Sequence, residues 1–270
     1  MLRLLAVAGV FEPRGDGWAH TDLSRTLRSD HPQSMRAFVR MIGSRINWTA
    51  ACELEYAAKT GKAAIEKIVP EGIWPYYRDH PDEARIFDVA MTAKSNAEIA
   101  ALIPAFDFSR YRTIADIGGG RGHILAAVLD ATPNALGILF DLPQVAANVA
   151  PLQRMTVQAG DFFTDRLPTA DAYILGNVIH DWPDREAQAI LRSVRHVAPE
   201  HAELLLLESI LPQGGKPHLA KVLDILMMMV TGGCERTQHE YQALLAEDVF
   251  RLDRVVPTAS PFSVIVGNPT

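Results

Sequence analysis

Asp116-Ile117-Gly118-Gly119-Gly120-Arg121-Gly122 decides the fold of this 270-residue chain. The run 113–117 before it is β-rich and 123–131 after it has helical spacing, so the glycines occupy a strand-to-helix turn. Glycine there lets the backbone turn tightly and approach a ligand, and a helix N-terminus offers free N–H groups. A dinucleotide fingerprint requires Gly-x-Gly-x-x-Gly. Counted from Gly118, that frame needs glycine at 123, where the chain has His123; from Gly119 it fails at Arg121; from Gly120 it ends on Leu125. What the segment does satisfy is an acid followed by alternate glycines: Asp116, Gly118, Gly120 and Gly122.

Outward from this loop, β-rich runs at 135–140, 155–158, 172–175 and 203–207 alternate with helical stretches, including 185–197 with Pro183 and Asp184 at its start. Such alternation predicts an α/β protein with a parallel sheet covered on both faces. Residues 250–256 and 262–266 read as two strands joined by a turn, an antiparallel pair closing the sheet. Upstream the character is helical. Residues 1–7 form a short apolar helix, 10–12 and 18–21 a hairpin about the turn 13–17, and Thr21 and Asp22 cap a helix to about 28. Helix, hairpin, helix is a winged-helix pattern. Residues 34–62 and 82–103 carry helical spacing, as in Ile86, Phe87, Ala90 and Met91, and Trp74-Pro75-Tyr76-Tyr77 between them is expected to be a turn. Two domains follow, a helical winged-helix-type unit over 1–108 and a ligand-binding unit over 109–270.

A net charge of -6 and a pI near 5.8 disfavour nucleic acid and anionic membranes as partners, so the winged-helix pattern points to packing or dimerisation. The two cysteines, Cys52 and Cys234, give neither a disulfide framework nor metal spacing. The apolar run before Glu12 and Arg14 is too short for a secretory signal, and no uncharged stretch is long enough to span a bilayer; a cytoplasmic protein is expected.

Further acids fall at strand ends. Asp141, in Phe140-Asp141-Leu142-Pro143, is either a turn residue before Pro143 or an acid placed to meet ribose hydroxyls. Asp161, in Gly160-Asp161-Phe162-Phe163, either caps a helix or accepts from an adenine amino group beneath Phe162. After the fourth strand comes Leu175-Gly176-Asn177-Val178-Ile179-His180-Asp181-Trp182-Pro183-Asp184. His180 shares the rim with the glycine loop, and histidine is the side chain best able to take a proton near neutral pH. Glu208 ends the fifth strand and Glu235 stands just ahead of a helix capped by Thr237 and Glu240; either acid can orient the imidazole.

Taken in order, Asp-Ile-Gly-Gly-Gly-Arg-Gly, Phe-Asp-Leu-Pro, Gly-Asp-Phe-Phe, His-Asp-Trp-Pro-Asp, Glu-Ser-Ile-Leu and Gly-Gly-x-Glu-Arg-Thr resemble the small-molecule O-methyltransferase family, which includes caffeic acid, acetylserotonin and bacterial natural-product O-methyltransferases. The resemblance spans essentially the whole chain. It implies a Rossmann-like class I methyltransferase sheet and S-adenosylmethionine as cofactor, with S-adenosylhomocysteine as product. It also implies a small aromatic, phenolic or polyketide-like acceptor, and no metal. By the resemblance His180 is the general base, flanked by Glu208 and Glu235. Asp116, Gly118, Gly120, Asp141, Leu142, Asp161, Phe162, Gly176 and Asn177 bind the cofactor, and Ser95 touches its methionine carboxylate. Phe87, Met91, Asp181, Leu226, Met229 and Val230 face the acceptor; the run Met227-Met228-Met229 suits flat apolar ligands, with core packing expected of at least one member.

Family members usually carry further N-terminal helices that interlock two subunits, whereas Met1 here falls inside the winged-helix pattern, so a homodimer is expected where those helices are present. Gly176 stands where many relatives have a basic residue, and Cys234 where plant members often have lysine. Other outcomes compatible with the motifs are a cofactor-binding hydroxylase or decarboxylase and a non-catalytic regulator. The intact set His180, Glu208 and Glu235 disfavours the first, and the lack of a basic surface disfavours the second.

Overall fold

The computed structural model describes residues 1–246 and 249–270, with the side chain of Ala97 outside that description. Its first part is a chain of short helices around a hairpin: α1 (Leu2–Val7), β1 (Phe11–Arg14), β2 (Gly17–His20), α2 (Asp22–Arg25), α3 (Arg36–Ile42), α4 (Arg45–Cys52), α5 (Leu54–Thr60), a 3-10 turn at Ala64–Lys67, α6 (Ile73–Asp79) and the long α7 (Pro81–Leu102). The hairpin is tighter than the sequence indicates. Pro13 pairs with Trp18 and Arg14 with Gly17, leaving a two-residue turn whose Gly15 takes a positive φ of 57°. Thr21 caps α2 in a reciprocal box with Ser24, and the helix ends at Arg25 instead of running to 28.

The expected turn at Trp74–Tyr77 is instead the body of α6. Pro75 is the third helical residue, where the N–H it lacks would have had no partner in any case. With Gly72 supplying the left-handed entry at φ 83°, the helix forms and aims Trp74 and Tyr77 at α7.

Beyond residue 112 the alternation is as expected: β3 (Thr113–Ile117), α8 (His123–Ala131), β4 (Leu136–Asp141), α9 (Pro143–Ala146), β5 (Met155–Ala159), β6 (Ala172–Gly176), a 3-10 turn at Ile179–Asp181, α10 (Asp184–Val197), β7 (Glu203–Ser209), α11 (Leu219–Val230), α12 (Gln238–Leu245), β8 (Phe250–Pro257) and β9 (Phe262–Pro269). The strands form one sheet in the order β5-β4-β3-β6-β7-β9-β8. The last strand does more than close an edge: β9 lies between β7 and β8, antiparallel to both.

Both faces of the sheet are covered, which is why the central strands read as continuous apolar runs. Ala115, Ile117, Tyr173, Leu175, Leu204 and Leu206 face Ile190, Leu191 and Val194 of α10 and Leu244 and Leu245 of α12. Their alternates Ile114, Ile174, Leu205 and Leu207 face Leu125, Val128 and Leu129 of α8. Order along the sheet reverses at β3: β4 lies on one side and β6 on the other. The rim beyond the carboxyl ends of β3 and β6 is therefore the topological switch point, the place where open α/β sheets bind ligands. α7 is tied to that rim, with Asp88 paired to Arg121 at 2.8 Å and the Thr92 hydroxyl 3.2 Å from His123 Nε2.

Candidate active site

The glycine loop leaves β3 with Gly118 at φ 69°, Gly120 at 59° and Gly122 at 77°, conformations that side-chain-bearing residues rarely adopt. A Cβ on Gly119 would lie 2.5 Å from the Asp116 carboxyl, and one on Gly118 2.9 Å from Val178, so the backbone itself packs between strand and rim. Gly120 has open space above it. Its N–H donates to Asp141 Oδ2 at 2.7 Å, and the Leu142 N–H donates to Oδ1 at 2.7 Å. Burial pushes the Asp141 carboxyl up to about 6 against the pull of these two amides. Asp116 lies deeper, beneath the loop and 1% exposed, and neither of its oxygens completes a hydrogen bond. Burial, then the neighbouring charge of Asp141, pushes it up to about 7.

This cradle fits an adenosyl ligand. It combines a backbone free of side chains above Gly120 with an acid at the end of β4 against the loop amide. Asp161, two residues beyond β5, uses Oδ1 to accept from the Phe163 N–H at 2.9 Å, so it caps its own turn. Phe162 lies edge-on to Trp182 at 6.0 Å, which links this turn to the His180 turn. A Cβ on Gly176 would meet Ile124 at 2.9 Å, so the strand end packs directly on α8. Asn177 takes a left-handed conformation, φ 55°, one that asparagine tolerates better than most residues. Its amide binds Lys94 and, at 3.1 Å, Glu98, and these two form an ion pair at 3.3 Å. Lys94 and Glu98 had no sequence signal beyond an ordinary i, i+4 pair on a helix. Ser95, half-buried, lies seven residues from Asp88, on the helix face that also carries Thr92 and grips the glycine loop.

His180, Glu208 and Glu235 converge although they come from three separate segments. His180 Nδ1 lies 3.1 Å from Glu208 Oε2 and 3.2 Å from Glu235 Oε1, and both carboxylates are fully buried. The other oxygen of Glu208 accepts from the N–H groups of Val178 (3.2 Å), Ile179 (2.9 Å) and His180 (3.3 Å), which anchors the turn that carries the ring. Asp181 Oδ1 stands 3.7 Å from Nε2 on the ring's other side. Burial alone would lower the His180 pKa; Glu208, Glu235 and Asp181 together outweigh it and hold the pKa well above 6.5. Asp181 is itself pushed up to about 6 by burial. Among the described residues, the ligand atoms of His180, Glu208 and Glu235 lie within 4.8 Å of one another, a spacing that a proton or a metal ion can use. The phenol of Tyr241, buried and without a hydrogen-bond partner among the described residues, lies close enough to feel the charge of both glutamates.

Of the expected acceptor-facing residues, Phe87 joins an aromatic group with Trp74, ring centroids 5.8 Å apart, and Tyr77, at 5.0 Å. Met91 is one turn further along the same face of α7 and half-buried. Val230 packs in the same cluster as Trp74 and Tyr77. Leu226 and Met229 are half-buried on α11, and of the three consecutive methionines Met227 is the core residue. Trp74 and Tyr77 join this group because their segment is a helix and not a turn.

A doubly covered sheet in this order, with a glycine cradle after its first strand and a buried histidine beyond its fourth, is that of a class I S-adenosylmethionine-dependent methyltransferase. The O-methyltransferase domain family matches residues 52–251, and the chain belongs to that family. It is 37% identical over 277 residues to the phenazine O-methyltransferase PhzM of Lysobacter antibioticus, covering 100% of this chain and 81% of the relative. The crystal structure of LaPhzM superposes with a TM-score of 0.90 at 37% identity, over 100% of this chain and 83% of that one. NcsB1, an O-methyltransferase from neocarzinostatin biosynthesis solved with S-adenosylmethionine and 2-hydroxy-5-methyl naphthoic acid, superposes with a TM-score of 0.84 at 26% identity, covering 100% of this chain and 83% of that one. The chain is thus an enzyme whose cofactor is S-adenosylmethionine.

Proposed function

We propose that the chain methylates a hydroxyl group on a small aromatic molecule, with His180 as general base and Glu208 and Glu235 orienting it. One observation carries this reading: both carboxylates lie against Nδ1, at 3.1 and 3.2 Å. A carboxylate only accepts, so Nδ1 keeps its hydrogen and Nε2 is the atom that takes a proton. Bound in the cradle, S-adenosylmethionine supplies an electrophilic methyl group on a positively charged sulfur. Gly118, Gly120, Asp141 and Leu142 would hold its ribose side, Asp161 and Phe162 its adenine, Gly176 would lie near the adenosine, Ser95 would touch its methionine carboxylate, and Asn177 would also line the cofactor, with Asp116 supporting the loop from below.

The high pKa of His180 sets a condition on the base. Three carboxylates favour the protonated ring in the cofactor-free chain. A positively charged group held in the cradle would offset part of that carboxylate charge and favour the neutral ring. His180 Nε2 would take the proton of the acceptor hydroxyl as that oxygen bonds to the methyl carbon and the methyl–sulfur bond breaks, S-adenosylhomocysteine leaving, and the glutamates would stabilise the imidazolium that results. Phe87, Met91, Asp181, Leu226, Met229 and Val230, with Trp74 and Tyr77, supply a largely apolar wall suited to a flat ring. The phenazine and naphthoic acid in the relatives' names support that acceptor class. Much of the acceleration would come from the cradle and the acceptor wall holding the two reactants in a fixed mutual orientation.

Residues 1–108 serve as a winged-helix-type unit for dimerisation and the acceptor wall, and 109–270 as the cofactor domain. Exposed Leu4, Val7 and Trp48 on the first unit support a homodimer. The acidic charge supports neither nucleic acid nor membrane as partner, and no described helix is long and apolar enough to cross a bilayer. A cytoplasmic site of action fits both.

The test is transfer of a labelled methyl group onto a panel of phenols and hydroxyquinones by wild type and His180→Ala, alongside calorimetric binding of S-adenosylhomocysteine. Transfer is expected to fall by about 10²–10⁴-fold with binding intact. Undiminished transfer by the variant refutes the assignment. Dialysis against EDTA is expected to leave transfer unchanged, because the cluster around Nδ1 holds a proton; loss of transfer restored by a divalent ion would assign it to a metal.

A further inference from the structure

We propose that Arg236 is a positioning residue, a latch that holds the His180 turn and the Glu235 loop in a single geometry. The inference rests on the reading of His180 as general base. His180 sits in a 3-10 turn of only three residues, Ile179–Asp181, too short to satisfy its own backbone. Its N–H side is anchored by Glu208, which accepts from three successive amides. Its carbonyl side is anchored by Arg236, which is 2% exposed. Arg236 Nη1 donates to the Ile179 carbonyl at 3.0 Å and Nη2 to the Trp182 carbonyl at 2.8 Å, one on each side of the ring-bearing residue. Nε and Nη2 also donate to Asp184 Oδ1, at 2.9 and 2.8 Å, which sets the plane of the guanidinium.

Arg236 directly follows Glu235, so its grip on the turn also fixes the second acid. Its own carbonyl accepts from the Leu211 N–H at 2.9 Å, and the Glu235 N–H donates to Asp224 at 3.0 Å. Gly233 completes the contact: a Cβ there would stand 2.0 Å from the His180 carbonyl oxygen and 2.4 Å from the Asp181 carbonyl carbon, so the loop backbone lies directly on the turn. Glu208 reaches His180 from a sheet strand and needs no latch. Glu235 comes from a loop, and its distance to Nδ1 depends on Arg236.

Lysine keeps the charge of Arg236 but not the planar fork that spans two carbonyls. Arg236→Lys therefore lets Glu235 move off Nδ1 without changing the local charge. With less carboxylate support, the ring's pKa falls toward its ordinary value. The experiment measures kcat, acceptor KM and the pH–rate profile for wild type, Arg236→Lys and Asp184→Asn, with the His180 ring titrated by NMR in the cofactor-free protein. Expected for Arg236→Lys are a kcat about tenfold lower at the plateau, acceptor KM within about twofold, and both the acid limb and the ring titration displaced to lower pH. Asp184→Asn, at an exposed position that holds the guanidinium through one carboxylate oxygen, should move the same quantities in the same direction by less, and decides the matter if Arg236→Lys does not fold. A lower melting temperature with an unmoved limb and unmoved titration overturns the latch and leaves Arg236 a packing residue. Full transfer by His180→Ala would instead remove the base assignment, and the latch with it.

Discussion

Replacing Asp116 by asparagine should stabilise the cofactor-free protein, and by more as pH rises. The carboxyl is buried, lacks a completed hydrogen bond and is pushed from 3.8 to about 7, first by burial and then by Asp141. The Leu125 N–H favours the charged form too weakly to offset burial. Because the folded pKa is raised, stability is full below about pH 3.8 and is lost as pH climbs toward 7. A difference of about three pH units at about 1.36 kcal/mol each amounts to about 4 kcal/mol lost at pH 8. Asparagine carries no charge but buries an amide group whose donors lack partners, a cost of about 1–3 kcal/mol. The net gain at pH 8 is then about 2 kcal/mol, or about 3–4 °C in melting temperature for a chain of this length, and close to zero at pH 5. Thermal unfolding followed by circular dichroism at both pH values measures it. A variant no better relative to wild type at pH 8 than at pH 5 would refute the argument, since Asp116 would then have to be solvated or paired. Such a buried acid is a cost to folding, retained beneath a cofactor loop where stability and function are often opposed.

Gly118→Ala meets both a positive φ and Val178 at 2.9 Å. It should lower stability by about 1–2 kcal/mol and weaken S-adenosylhomocysteine binding at least tenfold by calorimetry; unchanged affinity would separate the loop from the cofactor. Phe87→Ala removes the ring packed between Trp74 and Tyr77. Acceptor KM should rise about tenfold with S-adenosylhomocysteine affinity unchanged, and an unaltered KM would take this aromatic group out of the acceptor wall.

Local chemistry determined much of this protein from sequence alone. Period and turn residues placed His123–Ala131 as a helix to the residue, found all five β-rich runs between residues 110 and 210, and excluded a dinucleotide frame at Gly118–Gly122. The capping box at Thr237 and Glu240 placed the start of α12 and, with it, Glu235 just ahead of the helix. These features depend on neighbours within a few residues, which a sequence displays directly. Where proline was read without its helical position, at Trp74–Tyr77, the inference failed, because Pro75 breaks a helix interior but not a first turn. Only the tertiary structure decided that two glutamates 27 residues apart meet one imidazole nitrogen, that Lys94 and Glu98 reach Asn177, and that Arg236 bridges Ile179 and Trp182. Those meetings follow from the sheet order. β3, β6 and β7 lie side by side with their carboxyl ends on one rim, so segments distant in sequence end within hydrogen-bonding distance, a consequence no local pattern of residues contains.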